Sequence, residues 1–317
     1  MSKKLRIGGA SGFWGDSVIA TPQLLNGNDL DFIVYDYLAE ITMSIMARAR
    51  AKDATKGYAV DFVSSVLKLN LRQIADQKVK ILSNAGGVNP EACAEAIREL
   101  IKELKLDLKV SVVLGDDLMT EKSKFSELNT KEMYSNEDFP AEDKIASINA
   151  YLGAFPIAEA LKSGADIVIT GRSVDSAVTL GACIYAFGWN EKEYDKLAAG
   201  SLAGHIIECG TQSTGGNFTD WELVSKDLHQ IGYPIVEVFE DGSFDCTKSK
   251  NSTGMVSFGT VAEQMLYEIG DPQAYMLPDV ICDFSNVKIE ETEKDKVKIS
   301  GAKGYPCLLY TSDAADE

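Results

Sequence analysis

Short β-branched or apolar runs recur along most of the chain, each followed by a glycine- or aspartate-rich turn and then by a stretch with helical spacing. Leu5–Ile7, Phe32–Tyr35, Val79–Leu82, Val110–Leu114 and Ile167–Ile169 are too short for helices and read as buried strands. Between them, Leu38–Arg50 carries apolar residues at Leu38, Ile41, Ile45 and Ala49, a helical period. A second helix is expected from Asp61 to Asp76, and a third starts at Asn89 as cap with Pro90 in the first position. Ile145–Leu161, broken near Gly153–Pro156, and Tyr194–Cys209 also read as helices. Alternation of strand, polar turn and helix with few hairpin signals predicts an α/β fold: an open, mostly parallel sheet with helices on both faces. Its polar turns should gather along the carboxyl edge, where such sheets bind ligands.

From Trp221 the pattern changes. Ile235–Phe239 and Phe244–Thr247 flank Asp241-Gly242 as a hairpin, Thr260–Ile269 reads as a short helix, and Val280–Phe284 and Val287–Ile289 read as strands. The expected division is an α/β ligand-binding domain over 1–219 and a smaller antiparallel α+β region over 220–306. The last stretch, Cys307–Glu317 (CLLYTSDAADE), back-translates as a sequencing-adapter end, so 307–317 is expected to be a non-native tail on a truncated chain. Leu308, Leu309 and Tyr310 should then make few contacts, and the β-region before them should leave a strand edge unpaired.

Composition narrows the function classes. The 317 residues are 45% hydrophobic, enough for a real core, and the net charge of −17 gives no footprint for nucleic acid or an anionic membrane. No apolar leader core opens the chain and no run of about 18 apolar residues follows, which disfavours secretion and membrane spanning. The six cysteines are widely spaced without a C-x-x-C pair, fitting reduced thiols in a cytoplasmic compartment. Only two histidines occur, His205 and His229, so no metal site is expected. A homo-oligomer is compatible with all of this.

Candidate chemistry clusters in the turns. In Gly164–Trp189, Gly171 allows a sharp bend, Arg172 offers a planar fork of donors, Ser173 can cap the next helix and Asp175 sits in its first turn. Gly8, Gly9, Ser11 and Gly12 form a glycine-rich turn after the first strand, suited to an anion though matching no dinucleotide or Walker spacing. Asp36, Asn84 with Gly86 and Gly87, and the pair Asp116 and Asp117 each follow a strand. Asp116 and Asp117 could share one proton if desolvated together, and Asn84 suits a carbonyl or amide ligand. In His205–Asn217, helical spacing puts His205, Glu208 and Cys209 on one face: His205 as general acid or base, Glu208 orienting it, Cys209 a nucleophile or a bystander. Thr214, Gly215 and Gly216 follow as a donor-rich loop for an oxyanion or phosphate.

The segments RIGGASGFWGDS (Arg6–Ser17), DYLAEITM (Asp36–Met43), NAGGVNP (Asn84–Pro90), GRSVDSA (Gly171–Ala177) and HIIECGTQSTGGNF (His205–Phe218) together resemble the acyclic terpene utilisation, AtuA-type, family. The resemblance covers almost all of Lys4–Pro306. It implies catabolism of branched, isoprenoid-like acids as coenzyme A thioesters, beside biotin-dependent acyl-CoA carboxylases, in the cytoplasm or in an organelle matrix elsewhere in the family. It assigns no catalytic role to any residue and no cofactor. Two functions are therefore carried forward. The first is an acyl-CoA enzyme of lyase or hydratase type, with His205, Glu208 and Asp116 moving protons and Arg172 and the glycine turns holding phosphate or thioester oxygen. The second is a non-catalytic subunit or scaffold for an acyl-CoA carboxylase.

Overall fold

The computed structural model describes residues 3–307 apart from Ser17, Asn28 and Asn129. The expectations for Leu308–Tyr310 and Asp313–Glu317 lie outside the described residues. In chain order the elements are β1 (Lys4–Gly9), α1 (Ala20–Leu25), β2 (Phe32–Tyr35), α2 (Glu40–Lys52), a π-helical turn (Phe62–Leu67) running into α3 (Lys68–Gln77), β3 (Lys80–Ser83), α4 (Pro90–Leu104) and β4 (Val110–Val113). There follow α5 (Lys122–Glu127), α6 (Phe155–Lys162), β5 (Ile167–Thr170), α7 (Ala177–Phe187), α8 (Tyr194–Ile207), β6 (Pro234–Phe239) and β7 (Phe244–Lys248). The last are α9 (Phe258–Leu266), β8 (Tyr275–Met276), β9 (Ile281–Asp283), β10 (Lys288–Glu293), β11 (Lys296–Ser300) and β12 (Lys303–Tyr305).

The protein is α/β. Strands β1, β2, β3, β5 and β4 lie side by side in that order and all parallel, so the chain leaves each of them on the same edge. Alternate residues face opposite ways: Phe32 and Val34 enter one core with α6, α7 and α8, while Ile33 and Tyr35 enter the other with α1 to α4. Both faces are covered, which is why these strands carry unbroken apolar runs.

Four strands of the 220–306 region extend this same sheet. β6 pairs antiparallel with β1, and β7, β11 and β10 follow, giving nine strands; β12, β9 and β8 form a small antiparallel sheet. Here the apolar residues fall mainly on one face, with Ile235 buried on the other. Val236, Val238, Phe244, Cys246, Val297 and Ile299 pack inward, and their neighbours form a charged ladder in register, Arg6 against Glu237 and Asp245 against Lys298. Arg6 Nε lies 2.9 Å from Glu237, and Lys296 Nζ lies 2.9 Å from Asp245. The edge strand β10 (KIEETE) alternates no apolar face but carries charges along its length, which discourages pairing with another sheet.

Some local expectations are corrected. The helix expected over Ile145–Leu161 begins only at Phe155, because Asp279, far along the chain, accepts the Ala154 N–H at 2.8 Å and caps it there. Residues before it run extended, with Leu118 N–H and Leu152 N–H bonded to Ile148 and Arg172 carbonyls. On α2 the buried stripe is Thr42, Met43, Met46 and Ala47, whereas Ile41 and Ile45 face outward. Gly181 lets α7 lie close against α6, where a Cβ would meet the Ile157 side chain at 2.7 Å. Residues 119–144 form an excursion with little regular structure, held by a Phe125–Phe139 stack at 6.3 Å and a Lys131–Asp138 bridge.

Candidate functional site

A cavity of about 880 Å³ opens at the carboxyl edge, where the turns after β1, β2 and β5 meet the end of α8 and the residues after α9. Among the described residues, six carboxylates line it: Asp16, Asp36, Glu40, Asp175, Glu208 and Glu268. Arg172 is the single cation in its wall among the described residues. Parallel strands explain the convergence, since each exits at this edge and delivers its first polar residues there.

The charges are strongly perturbed. Asp36 is buried, and Asn84 Nδ2 donates to its Oδ1 while Leu38 N–H approaches the same oxygen at 3.3 Å. Burial, then the charges of Asp175 and Glu208, push its carboxyl well above the usual carboxylate range. Burial and Glu208 likewise raise Asp175 to about 6, against the opposing pull of Arg172. Arg172 Nη1 donates to Asp175 at 2.7 Å and to the carbonyls of Leu38 and Ser173 at 3.2 and 3.1 Å, and its guanidinium lies 4.2 Å from the Tyr151 ring centre. Burial works against that charge, but Asp175 and Tyr151 hold it on the arginine.

Glu208 faces the cavity, and His205 stands one helical turn behind it, buried, with Nδ1 2.7 Å from Glu208 Oε1. Burial opposes a charged imidazole here, yet the Glu208 carboxylate outweighs it and raises the histidine pKa. His205 Nε2 has no hydrogen-bond partner among the described residues and its ring lies 6.3 Å from that of Tyr275. His205 thus reaches the cavity through Glu208, the reverse of the expected order. Cys209 lines the wall, but burial and Glu208 raise its thiol pKa, which keeps it a poor nucleophile.

Most of the glycines serve close packing. A Cβ on Gly8 would meet the Leu24 side chain at 2.8 Å, one on Gly9 would fall on the Ile207 carbonyl oxygen, and one on Gly12 would sit 2.8 Å from the Cys209 backbone. The first turn is pressed onto the end of α8. Its Gly12 N–H, expected to face an anion, donates instead to Asp16 Oδ2 at 3.0 Å, so the protein supplies its own carboxylate. Ser11 Oγ donates to the Asp36 carbonyl at 3.0 Å. A Cβ on Gly86 would fall on Thr170 O and Pro90, and one on Gly87, at φ +55°, would fall on the Met46 sulfur. Gly215, at φ +103°, packs on Val224; Gly216 packs on Thr211 and also lines the cavity.

The remaining candidates are also engaged internally. Asn84 spends its oxygen on the Tyr37 N–H at 2.8 Å and its amide on Asp36. Asp116 accepts the Arg172 N–H at 2.7 Å and Asn149 Nδ2 at 2.9 Å, and a side chain at Gly171 would collide with it. It buttresses the turn after β5 from outside the cavity wall, and burial raises its pKa. Asp117 turns away to Arg50 at 3.0 Å, so the two aspartates share no proton. Thr214 Oγ1 donates to the Thr211 and Gly232 carbonyls at 3.0 and 2.8 Å. Ser173 does not cap α7, which starts at Ala177 after an uncapped Ser176; its hydroxyl is buried without a partner among the described residues.

The wall also holds residues that the sequence did not single out, among them Asp16, Glu40, Tyr134, Tyr267 and Glu268. An acid four positions past Gly12, and one in the first turn of α2, were available signals. Nothing local marks Tyr267 and Glu268, which arrive only through the packing of α9 on α8. Among the described residues, no group of three or more His, Cys, Asp and Glu side chains is disposed to hold a metal ion, and no helix is long and apolar enough to cross a membrane.

These features define an α/β protein with a carboxylate-lined cavity at the carboxyl edge of its parallel strands. Residues 5–308 match the family described as acyclic terpene utilisation family protein AtuA, and the chain belongs to that family. No curated protein and no solved structure matches it.

Proposed function

We propose that this protein is a cytoplasmic enzyme of acyclic terpenoid catabolism that adds or removes water at the acyl chain of a branched acyl-CoA, a lyase or hydratase type of reaction. The observation that carries the reading is the trio Asp36, Asp175 and Glu208, three carboxylates of one cavity in which Asp175 and Glu208 raise Asp36 and Glu208 raises Asp175. Carboxyls kept in different protonation states side by side are what acid–base catalysis requires. In the hydration direction, Glu208 takes a proton from water as its oxygen bonds to one carbon of the double bond. Asp36, held protonated, gives its proton to the other carbon. The sum is one water added, and the two carboxyls exchange the proton afterwards. His205, hydrogen-bonded behind Glu208, holds that carboxylate in place.

The sign of the cavity limits what enters. The acids of the cavity other than Asp36 repel the phosphates of coenzyme A, and Arg172 is already paired, so the nucleotide end stays outside while the neutral acyl end reaches the acids. Support for the family-level role comes from the family match. Incubation with branched enoyl- and hydroxyacyl-CoAs, with products followed by mass spectrometry, should show interconversion, reduced by about 10²–10⁴-fold in Asp36→Asn. Absence of both turnover and binding across the panel would overturn the proposal, and co-purification with carboxylase subunits in that case would favour a scaffold.

A further inference from the structure

Next to the acidic cavity lies a second cleft of about 380 Å³, between α2 and the extended chain that precedes α6. Its character is different. Met43, Pro140, Ile145 and Ala146 supply apolar walls, and Glu40 is its single carboxylate among the described residues. Glu40 and Arg172 line both spaces, so the cleft and the cavity share a wall. Tyr151 ties that wall together: its hydroxyl lies 2.6 Å from Glu40 Oε1 and its ring covers the Arg172 guanidinium. A mainly apolar space adjoining an acidic one suits a ligand with a reactive polar end and a hydrocarbon tail, and such a volume is typical of small-molecule sites.

We propose that this cleft receives the branched hydrocarbon tail of the substrate whose reacting end lies among Asp36, Asp175 and Glu208, with Tyr151 as the positioning residue at the junction. The inference rests on the acid–base reading above and adds where chain length is recognised. Tyr151 presents an apolar ring to a passing chain and fixes Glu40 and Arg172 on either side of it. The opposite wall belongs to the stretch 140–149, the return of the excursion over the cavity, so a long tail would also hold that stretch closed.

The test uses the affinity of the whole protein for two branched acyl-CoA esters that differ by one isoprene unit, measured by titration calorimetry. Each methylene buried contributes roughly fourfold in affinity, so the longer ester should bind at least about tenfold more tightly to the wild type. Ser44→Phe projects a ring into the cleft from an exposed position of α2, where serine and phenylalanine have similar helix propensity. It should remove that advantage while leaving the shorter ester bound as before. Ala146→Leu fills the cleft from the facing wall and should act alike, which guards against a fold defect in either variant. Equal binding of the two esters by the wild type, or equal weakening of both by the two variants, would overturn the tail site while leaving the acid–base reading intact. Failure of the wild type to bind any ester would overturn the acid–base reading, and this inference with it.

Discussion

Replacing Asp279 by asparagine isolates the force that governs the cavity acids at a position where no ligand interferes. Asp279 Oδ2 accepts the Ala154 N–H at 2.8 Å at the start of α6, and asparagine keeps that acceptor while removing the charge. Burial raises the carboxyl from its ordinary 3.8 to about 6 against the pull of two backbone N–H groups. Between those values the folded chain binds more protons than the unfolded one, so this group contributes stability below pH 3.8 that is lost as pH rises through about 6. At about 1.36 kcal/mol per pH unit, the full interval amounts to about 3 kcal/mol, which exposure of this half-buried loop reduces to roughly 1–2 kcal/mol. The competing effect, a negative charge favoured at a helix N-terminus, is worth only about 0.3–1 kcal/mol. Asp279→Asn should therefore stabilise the protein by roughly 1–2 kcal/mol at pH 8 and change little at pH 4. Urea unfolding at the two pH values reads this directly. A variant less stable than wild type at pH 8 would refute the dominance of desolvation, and with it the account of Asp36 and Asp175.

Two further outcomes are expected. Because Asp175 titrates at about 6 and pairs with Arg172, kcat/KM for the branched acyl-CoA should change across a limb near pH 6; a profile flat from pH 5 to about pH 7 would remove Asp175 from the mechanism. Gly9→Ala should cost about 1–3 kcal/mol in chemical denaturation, since its methyl would meet the Ile207 carbonyl and force β1 away from the end of α8. A neutral result there would mean that the first turn is not pressed onto α8 as described.

What could be read from residues alone was the grammar of the parallel half. Ile167–Ile169 or Phe32–Tyr35 is long enough only for a strand, and its polar successor must emerge at the strand's carboxyl end. That alone brings Asp36, Asn84, Asp116 and Arg172 to one edge, because a parallel sheet leaves them no other. The local sequence could not decide which of them face a ligand. Asn84, Asp116 and Thr214 have the right chemistry, but partners 18 to 56 residues away consume their polar atoms. The glycines of the first turn look like an anion cradle until α8 is packed against them and Asp16 folds back onto Gly12. On α2 the Ile41–Ile45 and Met43–Met46 stripes are both apolar, and only packing, with Met46 against Gly87, chose the second for the core.

The antiparallel strands were legible as a hairpin and separate short runs, but not as the continuation of the main sheet. Strand pairing beyond a tight turn is set by which edge is free, here that of β1, and by cross-strand partners such as Arg6 and Glu237 that lie far apart in the chain. The same long-range closure carries Tyr267 and Glu268 to the cavity and turns a set of strand-end polar residues into an acidic site. Local pattern decides the elements because backbone propensity and burial period act over a few residues; the charge and exposure of a site are sums over everything packed around it, and those exist only once the chain has folded.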